Sequence, residues 1–418
     1  MRKGFIFEHA LGSVRKENMK GSPVTSIDYY LLPNKIFCGA GGMWPIDEKS
    51  WTFTKVFAYF RLIYGLVAVS SFVIPEIMLI ALNWGDIKIL AEVGSVLTAL
   101  GQCLFKMVYL IIRRERTGRL YNEIRSLWHS SDDVEERQSY EKLAYWARIC
   151  TIVSFTSCMG TASSFVISSA MKSFKGGHSN SSRSRELPYE VWYGVDVSTS
   201  PNFEIAFAWQ FFAACVTGSV LTGLDTSFMT TILHVAGQFR LISTWLNNIG
   251  IEINDGSNDP TKLRADLIKC IRHHQRITNV VDDVNNLLTP IIFVQILTSG
   301  IEICLIGLAF VGDGTGNASA IRFMSFIIAV AAQLLMLCWP GEILIEGSQE
   351  ISHVVYFDVP LYYLPPLYQR ELCLVIVRAQ RYCSITALTF ETLSLHTLTI
   401  ILKTAVSYFT FLRQIQEN

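Results

Sequence analysis

Seven apolar stretches, separated by polar and charged stretches, dominate the chain. Each is about 20 residues or longer, the length that an α-helix needs to cross the hydrocarbon core of a bilayer. The pattern therefore predicts an all-α, polytopic membrane protein with seven transmembrane helices. We place these helices at residues 57–82, 89–112, 147–171, 203–233, 287–311, 321–345 and 383–412.

The apolar stretches divide the chain into four parts. These are an N-terminal segment (1–56), a block of six helices (57–345), an amphipathic segment (346–382) and the last helix with a short tail (383–418). Proline and glycine predict local irregularities. We expect an interruption at Pro75 and a break of the sixth helix at Pro340 and Gly341, because proline removes a backbone donor.

The seventh stretch carries more polar residues than a plain membrane anchor does. At helical spacing, one stripe joins small polar residues to a bulky apolar one. Its members are Ile400, Thr404, Ser407, Phe411 and Gln414. Such a stripe suits either helix–helix packing or a water-filled conduit with a hydrophobic constriction. Spacing alone leaves both structures open.

Lysine and arginine are concentrated in alternate loops. The N-terminal segment and the loops after the second, fourth and sixth helices hold most of them, whereas residues 83–88, 172–201 and 312–319 hold few. Cytoplasmic loops carry an excess of these residues, so we expect a cytoplasmic N-terminus and an extracellular C-terminus. The sequons at Asn180 and Asn317 fall in loops that this topology places outside, where glycosylation occurs.

Composition agrees with a membrane protein and excludes other classes. Apolar residues make up 50% of the chain and charged residues 17%, against about 25% charged residues in a soluble domain. The formal net charge is zero, so nucleic acid is not an expected partner, whereas membrane lipid is. The ten cysteines show no paired spacing, which argues against a disulfide framework or a zinc site.

Catalytic and nucleotide-binding motifs are missing from the sequence, among them G-x-x-x-x-G-K-[ST], H-E-x-x-H and G-x-S-x-G. His273 and His274 are adjacent, so on a helix they point apart and bind one metal ion poorly. We expect no enzyme activity, no metal and no cofactor. Glu92, Asp225 and Lys403 are ionisable residues in or near the spans, and they suit either a functional site or a polar network that holds helices together.

A G-protein-coupled receptor is the obvious interpretation of seven spans, and three features oppose it. That family has an extracellular N-terminus, the reverse of the orientation expected here. It uses a cysteine bridge to the loop after the third helix, yet residues 172–203 contain no cysteine. It also carries N-P-x-x-Y near the end of the seventh helix, and this motif is absent.

The chain resembles the insect odorant receptors over nearly its whole length. Residues 400–414, IILKTAVSYFTFLRQ, are similar to the family signature of a lysine followed by S-Y-F-x-x-L-R. Further matches are Leu187-Pro188-Tyr189, Trp192-Tyr193, Asp196, Ser200-Pro201 and Gln210. Gly194 departs from the pattern, because the family often has proline there. The long acidic loop that marks the co-receptor is missing, so the chain resembles a tuning subunit.

The resemblance implies a ligand-gated, non-selective cation channel in the plasma membrane of sensory-neuron dendrites. Tuning subunits of this family assemble with the co-receptor as heterotetramers around a central pore. The segment 346–382 is then a cytoplasmic anchor for subunit contacts. Alignment of the chain's end implies that Phe411 is the gate and Gln414 the polar position outside it, with Thr404 and Ser407 also in the pore. This is the stripe found from spacing, and the agreement favours the conduit.

The resemblance also implies a pocket for a small volatile hydrophobic molecule in the outer half of the bundle, between the second, third, fourth and sixth spans. Apolar and aromatic walls with few hydroxyls suit such a ligand. Core packing explains any single member equally well. The candidate ligand-binding residues are Ser157, Gly160, Ser164, Phe165, Phe207, Phe211, Phe212, Phe323, Phe326 and Ile327.

We expect gating by a population shift, in which the odorant binds the open arrangement better than the closed one. The outer end of the seventh span then moves outward and Phe411 leaves the pore axis. A metabotropic seven-helix receptor coupled to a soluble transducer is the alternative, and it predicts the opposite topology. A secondary transporter would show duplicated halves with broken helices, which we do not find in the sequence.

Overall fold

The computed structural model describes residues 26–46, 51–128, 133–175, 187–189, 191–194, 197, 199–256, 259–312, 317–388 and 391–417. Helices dominate this part of the chain, as the sequence predicts. The helices are α1 (Ile27–Ala40), α2 (Thr52–Leu82), α3 (Ile87–Ile112), α4 (Arg114–Leu127), α5 (Val134–Lys175), α6 (Asn202–Asn254), α7 (Pro260–Gly312), α8 (Asn317–Phe357), α9 (Pro366–Ala379) and α10 (Leu395–Glu417). A short hairpin of β1 (Thr386–Ala387) and β2 (Glu391–Thr392) precedes α10.

Six helices, α2, α3 and α5 to α8, are long and apolar enough to cross a membrane. The all-α membrane fold is therefore confirmed. Helices α5 to α8 continue more than ten residues beyond the predicted spans. For example, α6 and α7 have 53 residues each, about 80 Å at 1.5 Å per residue. Their polar ends fill most of the stretch between residues 247 and 286, which the apolar pattern leaves outside the spans.

Helix α4 lies at the end of the bundle where α6 and α7 connect, which we call the base. It is tied to α1 by the ion pair of Arg125 with Asp28, at 2.6 Å, and to α7 by that of Arg116 with Asp283, at 3.1 Å. The opposite end, where α2 joins α3 and α5 joins α6, we call the loop end. There Trp209 of α6 donates a hydrogen bond to Ser71 of α2, at 3.0 Å.

Helix α6 is the centre of the bundle and packs against α1, α2, α5, α7 and α8. Its residues from Thr222 to Phe239 are all buried. Gly223 allows α1 to approach closely, because a Cβ atom there would lie 2.8 Å from the backbone nitrogen of Cys38 in α1. In the same contact, the amide of Asn34 donates to the hydroxyl of Thr226 at 3.0 Å. The N-terminal segment thus contributes a helix to the core.

The last helix begins at Leu395, twelve residues after the expected start at 383. The hairpin occupies the intervening residues, and the amide of Leu393 donates to the carbonyl of Ile385 at 2.8 Å. The hydroxyl of Ser394 accepts a hydrogen bond from the amide of Thr397 at 3.2 Å, which is an N-cap. The apolar pattern does not reveal this start, since the residues before it show a similar mixture of apolar and polar side chains.

Helix α8 continues through Pro340 and Gly341, where the sequence predicts a break. Proline can lie within a membrane helix when neighbouring groups satisfy the freed backbone. Gly341 has a packing role, because a Cβ atom there would lie 2.4 Å from the carbonyl oxygen of Leu393. Pro75 likewise lies within an uninterrupted α2.

Candidate functional site

Four aromatic side chains meet at the loop end of the bundle. The ring centroid of Tyr189 lies 5.3 Å from that of Phe72 and 5.6 Å from that of Phe165. Phe165 in turn lies 6.0 Å from Phe326 of α8. We call Phe72, Phe165, Tyr189 and Phe326 the aromatic cluster. It joins α2, α5, α8 and the segment before α6, and it includes two of the predicted ligand-binding residues.

Gln210 holds Tyr189 in this cluster. Its fully buried carboxamide accepts a hydrogen bond from the backbone amide of Tyr189 at 3.0 Å and donates to the carbonyl of the same residue at 3.1 Å. It also contacts the Tyr193 hydroxyl at 3.3 Å. Burial is the main factor that raises the pKa of Tyr189, to about 12. Tyr189 and Gln210 belong to the odorant-receptor motif, yet the sequence does not identify them as site residues.

The other predicted ligand-binding residues differ in their exposure. Ile327 is half-buried and packs against a small apolar group formed by α3, α7, α8 and α10. Phe207 is half-buried beside Phe203. The outward-facing members are Ser157, Gly160, Ser164, Phe211 and Phe212. The side chain of Phe323 lies outside the described residues.

Helix α10 divides into a buried and an exposed face. Thr397, Ile401 and Ala405 follow one another at four-residue spacing and are buried against α7 and α8. The predicted pore residues Thr404, Ser407 and Gln414 are exposed. Within one chain the polar stripe therefore does not serve helix packing. The side chain of Phe411 lies outside the described residues, as do Asn180 and the side chain of Asn317.

An ion pair in the middle of the bundle is the main polar feature that the sequence does not predict. The ammonium nitrogen of Lys106 lies 2.5 Å from Oδ1 of Asp225, and the two side chains are 1% and 5% exposed. The amide of Gln333 donates to Oδ2 of Asp225, also at 2.5 Å. Asp225 was predicted to be functional or structural, whereas Lys106 was missed. The signal for Lys106 was a lysine inside an apolar stretch.

A second contact extends this group to α7, where the Thr298 hydroxyl donates to Gln102 of α3 at 2.9 Å. We call Gln102, Lys106, Asp225, Thr298 and Gln333 the polar network. It joins α3, α6, α7 and α8, and of these helices α7 and α8 are the ones that pack closely on α10. Of the other ionisable residues noted from the sequence, Glu92 is half-buried and Lys403 is exposed.

Two glutamates are buried with an oxygen that has no hydrogen-bond partner among the described residues. They are Glu76 of α2, 2% exposed, and Glu302 of α7, 5% exposed. The sequence analysis did not identify either one. Native proteins rarely leave such groups unpaired, so each marks a place where a missing donor would fit.

The remaining sites considered from the sequence take other roles. His273 contacts the carboxamide of Gln238 at 3.1 Å, which explains its burial. The described residues contain no group of three or more His, Cys, Asp or Glu side chains placed to hold a metal ion. Two cavities of about 10 and 30 Å³ lie around Tyr121 of α4, near the base. They have room for a water molecule rather than for an odorant.

The sequence profile of the 7tm Odorant receptor family matches residues 89–406. The chain belongs to this family. Odorant receptor 47a of Drosophila melanogaster is 25% identical over 84% of this chain and 90% of its own length. Odorant receptor Or2 of Anopheles gambiae is 22% identical over 87% of this chain and 95% of its own length. This odorant receptor is thus a multi-pass membrane receptor and not an enzyme.

Solved structures share the fold of this odorant receptor. The insect olfactory receptor OR5 from Machilis hrabei superposes with a TM-score of 0.71, over 93% of this chain and 98% of that one, at 16% identity. The same receptor in complex with eugenol gives a TM-score of 0.68 at 15% identity. At this level of identity the likeness establishes the architecture.

Proposed function

We propose that this odorant receptor is the odorant-binding subunit of a ligand-gated, non-selective cation channel. The observation that carries the proposal is the division of α10 into two faces. Thr404, Ser407 and Gln414 are exposed in the isolated chain, although they interrupt an otherwise apolar helix. Polar side chains that do not pack against their own bundle are costly in lipid, so this stripe suits an aqueous pore between subunits.

The proposed orientation places the base in the cytoplasm and the loop end outside. The arginine-rich helix α4 lies at the base, in agreement with the excess of positive charge on cytoplasmic surfaces. The aromatic cluster and the C-terminal half of α10 then lie in the outer half of the bundle. Asn180 and Asn317 would be extracellular and open to glycosylation.

The proposed ligand site is the aromatic cluster with the neighbouring predicted residues. Phe165 and Phe326 already meet Tyr189 there. Aromatic walls give a small volatile molecule most of its binding energy through burial and shape. The eugenol complex of the structurally similar OR5 supports a ligand of this size. In this proposal the site is completed by the candidates Ser157, Gly160, Ser164, Phe207, Phe211, Phe212, Phe323 and Ile327.

The proposed partner is the odorant receptor co-receptor, in a heterotetramer around a central pore. The segment 346–382 offers an apolar surface at the base for the subunit contacts. Its exposed side chains include Leu367, Leu374 and Val377 of α9, which are 60%, 66% and 63% exposed. Single exposed apolar residues are common, but a cluster of them indicates an interaction surface.

In the proposed mechanism, the odorant binds the open arrangement better than the closed one. Because α10 packs mainly on α7 and α8, a change at the aromatic cluster reaches the pore through these two helices. The outer end of α10 moves away from the pore axis, Phe411 moves with it, and the constriction fills with water. Cations then pass along the stripe that contains Thr404 and Ser407.

The test is whole-cell current from cells that express this chain with and without the co-receptor. Volatile esters, alcohols and terpenoids are applied while G-protein signalling is blocked. We expect a fast odorant-evoked cation current only when both chains are present. A second-messenger response from this chain alone, without current when the partner is at the surface, would favour the metabotropic alternative.

A further inference from the structure

Glu76 lies in α2 near the loop end, and one oxygen of its carboxyl group lacks a hydrogen-bond partner among the described residues. The residue is 2% exposed, and its Oε2 atom has no hydrogen bond within the part of the chain that the structure describes. The same part of the chain shows no ion pair between Glu76 and a lysine or arginine. A buried carboxylate without a positive partner is costly, so this position favours a cation.

Aromatic residues lie on the same side of α2 as this carboxyl group. Phe72 lies one helical turn before Glu76 and therefore on the same face of α2. The ring of Phe72 contacts that of Tyr189 at 5.3 Å. Burial is the main cause that raises the pKa of Tyr193, and the nearby Glu76 carboxyl group raises it further. The same carboxyl group contributes, more weakly than burial, at Tyr189. Glu76 therefore lies beside the aromatic cluster.

We propose that Glu76 and the aromatic cluster bind the ammonium group of a small apolar amine. This inference rests on the proposed odorant-binding function and specifies the ligand class for that site. The Glu76 carboxylate accepts N–H hydrogen bonds and balances the positive charge. The faces of Phe72 and Tyr189 attract the same cation through their ring quadrupoles. The alkyl part of the amine packs toward Phe165 and Phe326.

A neutral ligand makes weaker interactions with the Glu76 carboxylate than an ammonium group does. An alcohol donates one hydrogen bond but leaves the buried carboxylate without a compensating charge. An ester or ketone offers only acceptors, which a carboxylate does not bind. Charge-assisted hydrogen bonds are also stronger than neutral ones. For equal carbon skeletons, the site therefore favours the amine.

The experiment compares isopentylamine with isopentanol and isopentyl acetate, each applied to cells that express the intact chain with the co-receptor. In the wild type, we expect a half-maximal concentration for the amine below that of the alcohol. The substitution Glu76→Gln keeps the shape of the side chain and removes its charge. Loss of one partner of a buried charge pair costs about 2 kcal/mol or more, so the amine response should weaken about thirtyfold. The alcohol response should change less than about threefold, because a neutral ligand does not depend on that charge.

Glu204→Gln is the matched control, because Glu204 is an exposed carboxylate in the first turn of α6 at the same end of the bundle. It should leave the responses to both ligands unchanged. The alcohol response also shows whether the Glu76→Gln chain folds and assembles. Glu76→Asp is a second variant, and it should keep part of the amine response because it keeps the charge.

A wild-type chain that responds to neutral odorants but not to amines overturns the inference. An unchanged ratio of the amine response to the alcohol response in Glu76→Gln also overturns it. In both cases the proposed channel function stands. Silence to a broad neutral panel, with both chains at the surface, would instead refute that function.

Discussion

Lys106 of α3 and Asp225 of α6 form an ion pair of 2.5 Å although they are 119 residues apart and both are buried. The pair is completed by Gln333 of α8. A buried pair contributes little net stability relative to apolar residues of the same size, but removal of one partner leaves an uncompensated charge. Replacement of either Lys106 or Asp225 alone by an apolar residue should therefore destabilise the receptor.

Lys106→Met should reduce the stability of the receptor by about 3–5 kcal/mol, since Asp225 then stays buried without its cation. The double substitution of Lys106→Met with Asp225→Leu should restore most of this loss. The measurement is the thermal unfolding of detergent-solubilised protein, together with the fraction of receptor at the cell surface.

Lys262→Met provides the control for this pair. Lys262 also forms an ion pair, with Glu252 at 2.7 Å, but both side chains are about half exposed. This substitution should leave the surface fraction unchanged, because exposed ion pairs contribute little. Equal instability of Lys106→Met and of the double variant with Asp225→Leu would show that loss of the ion pair does not cause the destabilisation.

Gly341→Ala should destabilise the start of α10. The new Cβ atom would lie 2.4 Å from the carbonyl oxygen of Leu393, so the hairpin must shift. Overpacking of this kind costs about 1–3 kcal/mol. Gly347→Ala in the same helix is the control, because its nearest neighbour, the carbonyl oxygen of Ala236, would lie at 3.5 Å. Thermal unfolding should separate the two variants, and equal stability would contradict the close approach.

Gln210→Leu should weaken odorant responses without loss of surface receptor. The substitution removes the two hydrogen bonds that fix the backbone of Tyr189 and the contact with the Tyr193 hydroxyl. Each net hydrogen bond is worth about 1 kcal/mol, so loss of the two bonds to the Tyr189 backbone should raise the half-maximal odorant concentration by up to about thirtyfold. Concentration–response curves with the co-receptor provide the measurement. Tyr193→Phe removes only one of the three contacts and should show a smaller shift.

The helices could be predicted because a bilayer permits few structures for a long apolar segment. Helical spacing also placed Thr404 and Ser407 on one stripe, but it did not decide between helix packing and exposure. By contrast, the partner of Asp225 could not be identified, since it depends on how α3 packs against α6. The start of α10 at Leu395 depends on the hairpin before it, where the Thr386 amide donates to Asn285 of α7 at 2.8 Å. It also depends on the hydrogen bond from the Leu395 amide to Glu342 of α8, at 3.0 Å. Such contacts between distant segments leave no periodic signal.

The two faces of α10 predict which positions an aqueous reagent can reach. Cysteines introduced at Thr404 and Ser407 should react with a charged, membrane-impermeant thiol reagent, because these positions are exposed and would face water in the pore. The reaction should reduce odorant-evoked current, and it should be faster while odorant is present, since gating opens the constriction. A cysteine at Ala405, which is 3% exposed, should not react.

The native cysteines set the background for this measurement. Cys373 is exposed, so each variant should be made in a Cys373→Ser chain whose current is unaffected by the reagent. Reaction at Ala405→Cys with none at Thr404→Cys would mean that the buried face of α10 lines the water path. That outcome would reverse the proposed arrangement of the pore, because the helix would then have to turn its apolar face toward the axis.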